Sequence, residues 1–160
     1  MLLIVWHSRT GASEALARAA LAGAASEGLP AQLIAAEDAG PEVMLAASGY
    51  LFAFPENLGT MSGAMKELFD RCFYPLLGRV EGRAYASLIA AGSDGQGAQA
   101  QLDRIVTGWR LRRVADPVIV NLAAQTPEAI LAAKAVPAAA QTGAHDLGKA
   151  LAAGLRLGVF

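Results

Sequence analysis

The chain has 160 residues, 54% of them hydrophobic and 17% charged, with a formal net charge of −1. That length fits one domain over residues 1–160, and that composition fills a core without disulfide or metal staples. A near-neutral balance with no block of like charge excludes nucleic acid and acidic membrane surfaces as partners and leaves small molecules.

The opening Met1 to Trp6 is apolar, yet it lacks a basic leader, is too short for a signal peptide and runs straight into His7, Ser8 and Arg9. It reads as a buried strand over about 2–6, and helical character follows near 13–27. Further short apolar runs at about 31–35, 49–54, 84–91 and 114–120 alternate with longer helical stretches. This alternation predicts a doubly wound, three-layer α/β fold: a five-stranded parallel sheet in order 2-1-3-4-5, helices on both faces. Met65, Leu68, Phe69 and Cys72 fall at helical spacing after the third run, as do Leu102, Ile105, Val106 and Trp109 after the fourth. Pro117 interrupts the fifth run, so that strand lies at a sheet edge or begins at the proline. Thr126 before Pro127 starts a helix over 127–136, Pro137 interrupts the alanine-rich stretch, and Thr142 starts a last helix over 143–157. No apolar run reaches the ~18 residues of a membrane helix without a charge or a breaker. Cys72, the single cysteine, cannot form an internal disulfide, which agrees with a reducing cytoplasm.

The chemistry lies where strands stop. Ser8-Arg9-Thr10-Gly11-Ala12-Ser13 is a short loop of hydroxyls and a glycine that opens into a helix. A dianionic phosphate needs several donors at close range, and this loop offers three hydroxyls, turn amides and the positive end of a helix dipole. On their own, Ser13 as an N-cap and Gly11 as a turn residue explain the loop as well. After the third strand stands Phe54-Pro55-Glu56-Asn57-Leu58-Gly59-Thr60-Met61-Ser62-Gly63, followed by a helix from about Ala64; after the fourth comes Ala91-Gly92-Ser93-Asp94-Gly95-Gln96-Gly97.

The first of these loops resembles the phosphate loop of flavodoxin-like proteins. The second resembles the flavin loop of their NAD(P)H-dependent FMN reductase and quinone reductase branch, and the third is similar to that branch's glycine-rich loop. The ends of the first and third strands meet at the switch-point crevice where such sheets bind ligands. The resemblance covers about residues 1–120 and implies a flavodoxin-like fold with FMN as cofactor and NAD(P)H as electron donor. It places Ser8, Thr10, Gly11, Ala12 and Ser13 on the phosphate, with Arg9 aimed at it or into solvent. Pro55, Glu56, Asn57, Leu58, Gly59, Thr60 and Met61 would run along the isoalloxazine, the amides of Asn57, Leu58 and Gly59 facing its polar edge. Gly92, Ser93, Asp94, Gly95 and Gln96 would close its other side. No protein acid or base is needed, because the flavin carries the hydride.

Three departures from the family pattern bear on function. The flavin loops offer Leu58 and Met61 where electron carriers stack aromatics, and a net charge of −1 supplies little steering toward a basic redox partner. The chain also lacks long pocket-building insertions, so a homodimer or homotetramer would complete the site. The expected activity is an oxidoreductase passing electrons through FMN to a quinone or other small acceptor; a one-electron carrier and a flavin-free binding domain of the same fold are the alternatives. A receiver domain is excluded, since His7 and Ser8 stand where an acidic pair is required.

Other signals have plainer readings. Gly95-Gln96-Gly97-Ala98-Gln99-Ala100 fits a dinucleotide pattern, but Asn121 rather than an acid stands on the next strand. His7 is read as a loop histidine satisfied by backbone, with contact to the flavin phosphate or a substrate as the alternative; His145 is read as helix surface, and Asp70 and Arg71 as exposed or intrahelical ion pairing rather than catalysis. Cys72, Trp6 and Trp109 are read as core.

Overall fold

The computed structural model covers residues 1–160. In chain order the elements are β1 (Leu2–Trp6), α1 (Ala12–Ala25), β2 (Ala31–Ala35), α2 (Pro41–Ala46), β3 (Gly49–Asn57), β4 (Thr60–Met61) and α3 (Gly63–Leu76). They continue as β5 (Ala84–Ala91), α4 (Gln96–Gly108), β6 (Arg112–Arg113), β7 (Val118–Asn121), α5 (Pro127–Leu131) and α6 (Ala138–Leu157).

Parallel pairing runs β2-β1-β3-β5, and β6 and β7 follow one another along the outer edge of β5. This is the expected order, with its fifth strand in two pieces. Arg112 and Arg113 pair with Ala84 and Tyr85, and Val118 to Asn121 pair with Leu88 to Ala91. The expected continuous strand over 114–120 is therefore corrected: pairing resumes immediately after Pro117, which has no N–H to give to a ladder.

Strand alternation divides the core between two faces. Leu3 and Val5 of β1 join Tyr50, Phe52 and Phe54 of β3 under α3 and α4, where the stripe Met65, Leu68, Phe69, Cys72 meets Leu102, Val106 and Trp109. Leu2 and Ile4 join Leu51, Ala53, Ala86, Leu88 and Ala90 on the opposite face, under α1 and α6. Trp109 is wholly buried and its Nε1–H donates to the Phe73 carbonyl at 2.9 Å. Trp6 is only half-buried at the end of β1, a correction to its reading as core.

Cys72 is fully buried, and burial pushes its thiol up against the opposing pull of Arg71. Since the thiolate is the reactive form, Cys72 is expected to resist a disulfide reagent in the native protein and to react stoichiometrically in denaturant. Rapid native labelling would contradict its packing.

Two helix boundaries differ from the sequence expectation. Thr126 does cap α5, its Oγ1 accepting the Ala129 N–H at 3.2 Å, but α5 stops at Leu131 instead of reaching 136. The chain is drawn off the helix path where the Lys134 N–H donates to the Thr10 carbonyl at 2.8 Å. The last helix begins at Ala138, directly after Pro137, so Thr142 lies inside it rather than at its start. A proline next to a helix start is well placed, because its fixed φ suits the first turn and its missing N–H costs nothing there. No helix is long and apolar enough to cross a membrane.

Candidate functional site

A cleft of about 300 Å³ opens at the carboxyl ends of β1, β3 and β5. It is walled by the loop after β1, by the hairpin joining β3 to β4, by the loop after β5 and by the segment around α5.

The β1 loop contributes Ser8, Arg9, Thr10, Ala12 and Ser13. Gly11 precedes α1 with φ at +93°, in a region where L side chains are strained, and its N–H donates to Ser8 Oγ at 3.0 Å. A Cβ there would meet nothing within 4 Å. The sequence pattern suggested that Gly11 admits the backbone to a ligand; the structure gives it the turn instead, and leaves it outside the cleft lining. No side chain caps α1, so its first N–H groups, which have no acceptor within the helix, face the loop. Ser13 is 1% exposed and its Oγ has no hydrogen-bond partner. Ser13 is therefore not the N-cap of the plainer reading: that position is Gly11. An uncapped helix start, a buried orphan hydroxyl and the cleft-lining hydroxyls of Ser8 and Thr10 form a donor set that fits a phosphate.

The hairpin contributes Pro55, Glu56, Asn57, Leu58 and Gly59. Asn57 pairs with Thr60, which leaves Leu58 and Gly59 as a two-residue turn with φ of 53° and 75°. Both positive values are those of a type I′ turn, and holding Leu58 there costs roughly 1–2 kcal/mol. Its side chain is fully exposed at the lip of the cleft. Thr60 and Met61 do not line the cleft. Thr60 Oγ1 donates to the Asn57 carbonyl at 3.1 Å, and Met61 is 3% exposed within the core.

Glu56 has a role the sequence reading did not give it. Its Oε1 accepts the Gly95 N–H at 2.9 Å and its Oε2 accepts the Ala98 N–H at 3.0 Å, so its carboxylate caps α4. Gln101 Oε1 accepts the Met61 N–H at 2.8 Å and ties the same hairpin to the same helix. Gly97 lies against the hairpin turn, where a Cβ would fall 2.1 Å from the Gly59 carbonyl oxygen. The N-terminus of α4 is thus occupied by Glu56 and the hairpin, which leaves the dinucleotide pattern at 95–100 without a free anion site.

From the loop after β5, Gly92 and Ser93 line the cleft together with Ala90 and Ala91, whereas Asp94, Gly95 and Gln96 do not. Asp94 and Gln96 are exposed and Gly95 is buried beneath Glu56. Asn121 Nδ2 donates to the Ser93 carbonyl at 2.5 Å, and Asn121 Oδ1 accepts the Ala123 N–H at 2.9 Å, bracing this loop from the edge strand.

Six lining residues were not among the expected site residues: Ala90, Ala91, Leu122, Ala124, Ile130 and Lys134. Lys134 had one legible signal, as the sole cation between Arg113 and Lys149 in an alanine-rich stretch. No aromatic side chain lines the cleft.

His7 stands apart from the cleft. Its backbone N–H donates to the Ala53 carbonyl, but its Nδ1 is buried without a partner and its Nε2 lies 3.6 Å from Glu37, so the side chain is not satisfied by backbone. His145 sits on α6 with Nδ1 3.2 Å from Asp146. Asp70 and Arg71 both form ion pairs within α3, Asp70 with Lys66 at 2.5 Å and Arg71 with Glu67 at 3.5 Å, and Arg71 also donates to the carbonyls of Ala36 and Ala39. No three His, Cys, Asp or Glu side chains are grouped to hold a metal ion.

The family model described as NADPH-dependent FMN reductase matches residues 3–127. A flavodoxin of Aquifex aeolicus (strain VF5) is 30% identical over 107 residues, which is 66% of this chain and 58% of that protein's length. Among solved structures, a flavodoxin from the domain Archaea superposes with a TM-score of 0.77 at 16% identity, covering 97% of this chain and 98% of the other. A flavodoxin, WrbA-like protein from Agrobacterium tumefaciens gives 0.77 at 17% identity, covering 98% and 97%. At such identities the two structures establish a flavodoxin-like fold.

Proposed function

Because the chain belongs to the NADPH-dependent FMN reductase family, we propose that its cleft holds FMN and that it is an NAD(P)H-dependent oxidoreductase serving a quinone or other small acceptor. Family membership implies FMN, and NADPH fits the family's description as donor. The observation that carries the reading is the uncapped start of α1 beside the buried, partnerless Ser13 hydroxyl, at the end of the interior strand β1.

In this reading Ser8, Thr10 and Ser13 give hydroxyls, and Ala12 and Ser13 give amides, to the phosphate. Leu58 and Gly59, outside the β3–β4 ladder, present turn amides toward the polar edge of the ring, and Asn57 stands beside them. Gly92 and Ser93 close the opposite wall. Bound FMN supplies the hydride and electron chemistry, and the protein supplies position and fixed dipoles. Glu56 acts through α4 rather than on the ring, by holding the hairpin in register. The open side of the cleft takes nicotinamide and acceptor in turn, completed by a second copy in a homodimer or homotetramer in the cytoplasm.

The similarity to a flavodoxin favours a second reading, a one-electron carrier for a protein partner. A net charge of −1 gives it little steering. Anaerobic addition of NADH and then NADPH to the FMN-loaded protein separates the two: bleaching of the flavin band by either nucleotide is expected, and binding of FMN without bleaching would select the carrier.

The phosphate assignment makes its own prediction. Thr10→Val is expected to weaken FMN about tenfold to a hundredfold, the worth of one hydrogen bond to a charged group, and to leave riboflavin unchanged. Isothermal titration with both ligands measures this; equal losses would remove Thr10 from the phosphate.

A further inference from the structure

Lys134 lies on a segment outside the three loops that carry the family resemblance, yet two contacts bring it to the first of them. Its backbone N–H donates to the Thr10 carbonyl at 2.8 Å, and its side chain lines the cleft. Nζ donates to the carbonyls of Ala129 and Ala132 at 2.5 Å and of Ile130 at 3.0 Å. An ammonium has three protons, and these three acceptors engage all of them. Lys134 is half-buried and makes no salt bridge, so its charge is held in place by the end of α5 and is not cancelled by a carboxylate.

The charge inventory of the cleft sharpens the point. Among its 18 lining residues the only cations are Arg9 and Lys134 and the only acid is Glu56, whose carboxylate is engaged by the amides of α4. Arg9 is exposed on a flexible stem, whereas Lys134 is fixed. A preorganised charge needs no ordering when an anion arrives.

Resting on the FMN reading above, we propose that Lys134 is a phosphate-selecting residue: a fixed positive charge that favours the phosphorylated flavin over riboflavin through space, without a hydrogen bond of its own. The phosphate carries close to two negative charges at neutral pH. Screened by salt over about one Debye length, the attraction between one fixed cation and that phosphate is expected to be worth about tenfold in affinity.

The experiment is a fluorescence titration of FMN and of riboflavin against the wild-type protein and three variants. Lys134→Gln keeps amide donors for the α5 carbonyls and removes the charge; it is expected to weaken FMN about tenfold and to move riboflavin less than twofold. Lys134→Arg keeps the charge and is expected to recover most of the FMN affinity. Thr126→Ala loosens α5 from its other end with Lys134 intact, and is expected to shift both ligands alike. Equal shifts for the two ligands in Lys134→Gln, or no shift, or an Arg variant no better than the Gln variant, would each overturn the proposal and leave Lys134 as a helix cap. Wild-type protein that binds neither ligand would overturn the FMN reading itself, and this inference with it.

Discussion

Gly97→Ala is expected to lower stability by about 3 kcal/mol, a fall of roughly 6–12 °C in thermal midpoint for a domain of this size. The added Cβ would stand 2.1 Å from the Gly59 carbonyl oxygen, far inside contact distance, and its neighbour is backbone rather than the movable end of a side chain. Relief requires the hairpin to move away from α4. That displaces Leu58 and Gly59 along with their turn amides, so FMN affinity is expected to fall together with the melting temperature. Differential scanning fluorimetry and an FMN titration read the two effects. An alanine variant as stable as wild type would mean that α4 and the hairpin are not in contact as described.

Glu56→Ala is expected to cost about 2–3 kcal/mol, since it removes two charge-assisted hydrogen bonds, those to the Gly95 and Ala98 N–H groups. Water can satisfy part of the loss because Glu56 is only half-buried. Glu56→Gln restores one acceptor but sets its NH₂ group against the other backbone donor, so it should recover less than half of the loss. The decisive comparison is with Gln101→Ala, which frees the Met61 N–H from the same hairpin. Two anchors on one element share their work, so the double variant is expected to depart from additivity by 0.5 kcal/mol or more. Strict additivity would mean that Glu56 and Gln101 hold independent pieces of structure.

These two residues show what the sequence could and could not reveal. The interior strands β1, β3 and β5 were legible because each is a continuous apolar run, the form a strand buried on both faces takes, and the edge strand β2 was legible as a shorter run in the same alternation. The stripe of α3 was legible because Met65, Leu68, Phe69 and Cys72 are large against polar neighbours, and all four are buried. The alanine-rich stretch from 129 to 140 gave no such contrast: alanine fits either face of a helix, so the end of α5 and the start of α6 were misplaced. Pro117 announced an edge, but not that the edge strand would break into β6 and β7.

The cleft divides in the same way. Ser8, Thr10, Ser13, Pro55, Leu58, Gly59, Gly92 and Ser93 stand at the carboxyl ends of strands or in the segments that directly follow them, and parallel topology alone gathers such segments at one end of the sheet. Glu56 stands among them, yet its carboxylate serves α4, a partner that no local pattern names. Lys134 enters through a backbone bond to Thr10 from the far end of the chain, a tertiary contact without a local signature. Asp94, Gly95, Gln96, Thr60 and Met61 share a loop or hairpin with true lining residues but face away, because loop membership fixes proximity and not direction.

The central claim is that the start of α1 and its loop form a phosphate site for FMN. Its most direct test is an equilibrium titration of the purified protein with FMN and, separately, with riboflavin. The account predicts one FMN per chain, bound at least tenfold more tightly than riboflavin. Equal affinity for the two flavins, or no binding of either, would contradict it.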